Sequence, residues 1–239
     1  MRNKLIAACI AAAAVIAIAA LPSGASAAPC VTDPAGTCLA TGNKITLTQH
    51  SNQTVTTPQG TFTCTALNFT GTLLKNSAAE GIQATISSAA FTGTGPSGRC
   101  TTTIPDGFGG NATIQWTVKL PICLTSVANN TAKFYDGDCT QFETGPKFAF
   151  DVFTQGGISL GECEYERQSA GGVKEPLTAT YNLNVAPATA EWESAANGHA
   201  AQFFARIKGG ALVCPANFTL GGSTTVFTDA VNEPGVSIS

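Results

Sequence analysis

Thr61-Phe62-Thr63-Cys64-Thr65-Ala66-Leu67-Asn68-Phe69-Thr70 alternates small or polar residues with apolar ones for most of its length. A strand buried on one face has this two-residue period, because successive side chains point to opposite sides of the sheet. Similar runs cover Lys44 to Thr48, Ile82 to Thr92, Ala112 to Leu120, Phe148 to Phe153, Ile158 to Glu166, Leu177 to Val185, Ala200 to Ile207 and Thr224 to Thr228. Turn signals separate them: Pro58-Gln59-Gly60, Gly93-Thr94-Gly95-Pro96, Pro105-Asp106-Gly107, Gly156-Gly157, Gly171-Gly172 and Gly209-Gly210. About nine short strands with such punctuation predict an all-β protein, an antiparallel β-sandwich or barrel. Only Ala188 to Asn197, between Pro187 and Gly198, carries enough Ala and Glu to allow a short helix.

The first thirty residues place the chain in a compartment. Arg2 and Lys4 precede an uncharged run from Leu5 to Leu21, followed by Pro22-Ser23-Gly24 and the small-residue exit Ala25-Ser26-Ala27. This order predicts a signal peptide over residues 1–27, cut after Ala27. Ile6-Ala7-Ala8-Cys9 has the local form of a lipoprotein cleavage site, but Cys9 precedes most of the apolar run that should come before it. An uncleaved anchor is the other alternative, since the run is close to the minimum spanning length. The A-x-A exit favours cleavage. No second apolar run of spanning length follows, so the expectation is free secretion, with no membrane span after cleavage.

The 212 residues from Ala28 onward carry 10 basic and 15 acidic side chains, a net charge near −5. That sign opposes nucleic acid and anionic membranes as partners. Solubility then rests on Thr, Ser, Asn and Gln, and the core on the 13 Phe with scattered Val and Ile. With no fixed repeat and no clear linker, the expected organisation is an arm over 28–39 and a single β-sandwich domain over 40–239.

Eight cysteines remain after cleavage: Cys30, Cys38, Cys64, Cys100, Cys123, Cys139, Cys163 and Cys214. An even number in an oxidising compartment points to four disulfides, with 105 possible connectivities. The sequential scheme joins Cys30–Cys38, Cys64–Cys100, Cys123–Cys139 and Cys163–Cys214. Each closure would stabilise by roughly 3 to 4 kcal/mol in the loop-entropy model. The two long loops are expected to matter most, and the Cys30–Cys38 clasp, near a terminus, least. Zinc is the alternative use of cysteine, but no C-x-x-C pair occurs and both histidines are remote from any Cys in sequence.

The Cys64 to Phe69 strand, Cys100, Cys163-Glu164-Tyr165, Cys214-Pro215, Phe218-Thr219-Leu220 and the end Val236-Ser237-Ile238-Ser239 resemble small secreted, disulfide-containing β-rich proteins of actinobacteria. The resemblance covers most of the mature chain, with Cys123 to Cys139 fitting it poorly. It implies a compartment and a lineage and no mechanism, since that group has no established activity.

Gly157-Ile158-Ser159-Leu160-Gly161 matches the G-x-S-x-G pattern, and Glu175, Glu191 and His199 follow in the chain order of a hydrolase triad. The residues after Gly161 read as strand, however, where a nucleophile elbow requires a helix. Glu162, Glu164 and Glu166 alternate with Cys163 and Tyr165, which puts three carboxylates on one strand face. Their spacing of about 6.6 Å suits a glycosidase pair, although a solvated face above a buried Cys163 explains them as well. Asp136-Gly137-Asp138, with Glu143, offers oxygen ligands for Ca²⁺, but Asp-Gly is also a hairpin turn signal. N-x-S/T triplets begin at Asn52, Asn68, Asn111, Asn129 and Asn217, as a Thr-rich composition generates by chance. Trp116 lies in an alternating strand and is expected in the core; with Trp192 it could otherwise form an aromatic platform.

No cofactor fingerprint and no convergent triad in a compatible fold are legible. The sequence is therefore read as an exported, non-enzymatic extracellular or cell-surface protein that binds an unknown ligand or lends structure. The alternative is a secreted polysaccharide hydrolase using the Glu162–Glu166 carboxylates. The export and pairing expectations make one prediction: the mature protein starts at Ala28 and gains eight hydrogens on reduction, with no thiol labelled beforehand. Intact mass spectrometry checks it.

Overall fold

The computed structural model describes residues 28–127, 130–211, 213–229 and 235–239. The segment 1–27 predicted as a signal peptide, with Cys9, and Asn129 of one N-x-T triplet lie outside the described residues. The chain forms strands β1 (Val31–Thr32), β2 (Lys44–Gln49), β3 (Gln53–Thr57), β4 (Gly60–Cys64), β5 (Ala66–Ser77) and β6 (Gly81–Thr92). Next come β7 (Cys100–Pro105), β8 (Asn111–Val118), β9 (Ile122–Ser126), β10 (Thr131–Asp138), β11 (Gln141–Glu143), β12 (Lys147–Phe153) and β13 (Ser159–Arg167). The rest are β14 (Leu177–Tyr181), β15 (Thr189–Trp192), β16 (Phe203–Lys208), β17 (Asn217–Leu220), β18 (Thr224–Asp229) and β19 (Ser237–Ile238). Every alternating run in the sequence falls on at least one strand. The helix allowed over Ala188 to Asn197 does not form: the segment holds β15 and one turn of 3-10 helix at Ala195–Asn197. Ala190 and Trp192 are buried and Thr189 and Glu191 half-exposed, so a two-residue period of burial overrides local propensity.

The strands close two rings. One is a barrel in the order β12-β13-β16-β17-β3-β4-β7-β8. The other runs β10-β14-β15-β18-β2-β5-β6-β9 and closes by β9 pairing with β10, with β11 appended to the end of β10. The chain passes between the rings at β2–β3, β4–β5, β6–β7, β8–β9, β11–β12, β13–β14, β15–β16 and β17–β18. Followed through these crossings, both rings have the same cyclic order. The protein is thus one up-and-down meander of eight long strands, each interrupted once, and neither barrel is a contiguous stretch of chain.

The quoted stretch contains one of these interruptions. Phe62 and Cys64 face inward in β4, whereas Leu67 and Phe69 face inward in β5, so the inward face changes parity at Thr65. A slip of one residue moves a strand's apolar set to the other face, so the break lets both halves bury their apolar residues. The Thr65 N–H stays satisfied by the Thr92 carbonyl at 2.9 Å. Later in β5 the pairing shifts at Gly71, where a Cβ would lie 2.7 Å from Ile86 Cδ1 and 2.8 Å from the Thr85 carbonyl.

Eight-stranded barrels have interiors just wide enough for side chains to fill. Phe62, Phe150, Tyr165, Phe204 and Phe218 fill the first, with Phe204 stacked on Phe218 at 4.5 Å between centroids. Leu47, Phe69, Ile86, Phe134 and Trp192 fill the second. Phe91 of β6 stacks on Trp116 of β8 at 4.1 Å, which joins the two cores across the crossings. Both tryptophans are buried and therefore form no surface platform. Outward positions such as Lys44, Thr48, Asn68 and Thr117 are exposed and polar, the reverse of a lipid-facing barrel wall. No described helix is long and apolar enough to cross a membrane.

Four disulfides pair sequential cysteines, as in the sequential scheme. Cys64–Cys100 ties the crossing after β4 to the one before β7, with both residues fully buried. The arm is more than a loose end. β1 pairs with β19, and Val31, Val236 and Ile238 are buried over the outer end of the second barrel. Buried Asn76 of β5 holds this cap: its side chain accepts from the Val31 N–H at 2.8 Å and donates to the Val31 and Leu39 carbonyls at 2.8 and 2.9 Å. The Cys30–Cys38 clasp thus braces a plug, contrary to the expectation of a fraying terminus. Asn76→Ala leaves two buried backbone groups unpaired, the Val31 N–H and the Leu39 carbonyl, while the Val31 carbonyl keeps the Leu39 N–H at 2.9 Å. Each orphaned group costs about 1 kcal/mol or more. We expect it to destabilise the protein by about 2 kcal/mol and to speed amide exchange at Val31, as denaturant unfolding and hydrogen exchange would measure.

Candidate functional site

The second barrel is plugged at its outer end by β1 and β19. The first is not, because its outer end is built only from hairpin turns. Residues 58–59, 106–110, 154–158 and 209–216 connect β3–β4, β7–β8, β12–β13 and β16–β17 there. Pro and Gly fix these turns. Gly209, at φ +111°, also lets the last loop pass over the Cys163–Cys214 bridge, since a Cβ would strike the Cys214 sulfur.

Between the turns lies a cavity of about 170 Å³ lined by Ile104, Asp106, Ala112, Val152, Leu160 and Val213 among others. A narrow extension of about 20 Å³ continues inward, walled by Phe62, Ile114, Phe150, Tyr165 and Phe218. Ile104, Ala112, Val152, Val213 and Pro215 border both spaces, so they form one funnel with an apolar floor. Tyr165 donates its hydroxyl to the Pro215 carbonyl at 2.8 Å, and burial pushes its phenol pKa up, so it stays neutral. Outside the rim, Phe108 and Ile158 remain 77% and 66% exposed.

Asp106 organises this end. Its Oδ1 accepts from the Phe108 and Gly110 N–H groups at 2.8 and 3.0 Å, and its Oδ2 from the Gln155 N–H at 3.1 Å. One carboxylate therefore ties two neighbouring turns together. These backbone donors, that of Gln155 foremost, hold its pKa below the usual carboxylate value.

The residues singled out in the sequence do not converge here. Ser159 is exposed at the first position of β13, paired with Phe153, and the strand runs on through Gly161 without an elbow. Leu160, and not Ser159, lines the cavity. His199 lies in the crossing before β16, its Nδ1 3.9 Å from Glu193 Oε1. From Ser159 to the crossing end of β13 is about 26 Å of strand, so serine and histidine are far apart. Glu175 pairs with Arg167 at 2.8 Å, and Glu191 lies in β15. No triad forms.

Glu162 and Glu164 do share the outer face of β13, above buried Cys163 and Tyr165. Both are bridged by lysines. Lys119 Nζ lies 3.7 and 3.1 Å from their carboxylates and Lys208 Nζ 2.8 and 3.4 Å. The Lys208 hydrogen bond is the main cause that lowers the Glu162 pKa. Glu166 is buried and pairs with Lys174 at 2.9 Å. A glycosidase acid needs a raised pKa and a cleft, whereas this is a cross-braced convex wall. Asp136 binds Lys147 Nζ at 2.6 Å, and Asp138 caps the β10–β11 turn through Thr140 and Gln141, so both acids have partners within the fold. Among the described residues no cluster of three metal-ligating side chains occurs.

No family model, curated protein or solved structure matches this chain.

The acid response of Asp106 follows from its geometry. Its folded pKa is depressed, so its stabilisation is complete above the unfolded value near 3.9 and is lost as pH falls through the lower folded value. Asp106→Asn removes this contribution. We expect the melting-temperature gap between wild type and variant to narrow progressively as pH falls below about 4, as calorimetry across the acid range would show.

Proposed function

We propose that this is an exported, non-enzymatic binding protein whose ligand site is the open end of the first barrel. One observation carries the reading: two barrels of the same strand order are finished differently. The second has its end filled by β1 and β19. The first keeps a funnel with an apolar floor and two exposed apolar side chains at its lip. Barrel mouths are a common place for small-ligand sites, because strands fix the walls while turns vary. Four disulfides, a predicted signal peptide and the resemblance to secreted actinobacterial proteins support the extracellular setting. The lysine-bridged carboxylates supply no support for the polysaccharide hydrolase.

The size of the cavity bounds the ligand. An apolar cavity of about 150 Å³ admits benzene, so one ring or a short alkyl chain fits here and a long acyl chain does not. We expect benzyl alcohol at millimolar concentration to shift the side-chain resonances of Phe62, Val152 and Phe218. Ala112→Leu, which fills the funnel, should abolish those shifts while keeping the melting transition. Unchanged resonances in the wild-type protein would sink the reading.

A further inference from the structure

The charge of the mouth selects among ligands of the right size. Among the described residues Asp106 is the one carboxylate lining the funnel, where Tyr165 stays neutral, and it borders the shallow surface beneath Phe108 and Ile158 as well. It is 7% exposed. Its carboxylate oxygens meet only backbone N–H groups, which stabilise the anion without cancelling its charge. Oδ1 takes two of these donors and Oδ2 one, so Oδ2 retains acceptor capacity.

None of the described cations near this end lines the funnel. The Arg206 guanidinium donates to the Cys214 carbonyl and does not line the funnel. Lys208 is held by Glu162 and Glu164 on the outer wall. Arg99 sits over the ring of Phe153, 3.6 Å from its centroid. Among the described lining residues the funnel therefore presents an apolar floor and one charged group, the Asp106 carboxylate, at its lip.

Resting on the site proposed above, we infer that the open barrel binds small amphiphiles with a compact apolar group and a cationic head. Primary amines on an aryl or short alkyl group are the class that fits. The apolar part sits in the outer cavity against Ile104, Val152 and Leu160, above the floor formed by Phe62 and Phe218, and the ammonium stays at the rim beside Asp106. A carboxylate head on the same skeleton meets like charge in a partly desolvated site and is excluded. A neutral alcohol falls between.

Benzylamine, benzyl alcohol and benzoate test this, because they share one ring and differ in head charge. Affinities for the mature, disulfide-bonded protein are read at pH 7 and low salt from the Phe62 and Val152 resonances. Benzylamine should bind about tenfold more tightly than benzyl alcohol, and benzoate more weakly than either. Asp106→Asn should bring the three to within about twofold of one another. Should that variant fail to fold, raising salt on the wild-type protein must narrow the same spread. Equal affinities, or tighter benzoate, would overturn the cationic-head inference and leave the site standing. Failure of all three ligands to bind would overturn the site itself.

Discussion

Closure is the constraint from which the rest follows. The last long strand pairs with the first twice: β17 with β3 in one ring and β18 with β2 in the other. An open sheet of this size would present two long edges of unpaired N–H and C=O groups, in a chain whose strands are rich in Thr and Val. Closing both rings together removes those edges and encloses one continuous aromatic core. It also fixes which turns lie at which end, since a meander returns the chain to the same end after every second strand. An open mouth and a plugged base are thus consequences of one topology.

Charge is distributed to match. With few ionisable side chains available, the fold places them as braces on the outer wall and keeps them from the mouth. Lys119 and Lys208 join Glu162 and Glu164, and Lys147 joins Asp136. Each half-exposed pair contributes little by itself, but shared carboxylates lower the ordering cost of the second bridge. Asp106 is the exception, a buried carboxylate held by backbone donors at the one place where the interior opens.

The disulfides follow the same division. Cys64–Cys100 joins neighbouring crossings, Cys163–Cys214 fixes the wall of the mouth, and Cys30–Cys38 braces the plug. Cys123–Cys139 secures β9 against the end of β10, beside the appended β11. The pairings are local because neighbours in sequence are neighbours in the ring, which is why a sequential scheme is geometrically feasible.

The sequence by itself determined the all-β class, since the alternation of apolar and polar residues reflects burial on one face and survives any arrangement of strands. It also marked Trp116 as core. It left β3, β7, β9, β10, β17 and the short β1, β11 and β19 outside the alternating runs; Gln53-Thr54-Val55-Thr56-Thr57 and Cys100-Thr101-Thr102-Thr103-Ile104, for instance, are so rich in Thr that they read as loop until paired. The triad spacing at Ser159 and the three glutamates drew attention for their chain order, but a distance in three dimensions decides chemistry, and strand length separates the first while lysines bridge the second. The site itself shows the division most clearly. Pro58-Gln59-Gly60, Pro105-Asp106-Gly107, Gly156-Gly157 and Gly209-Gly210 are each legible as turns. Only the closed meander brings all four to one end of one barrel, because which turns meet depends on the ring order of the strands, a long-range property that no local residue pattern encodes.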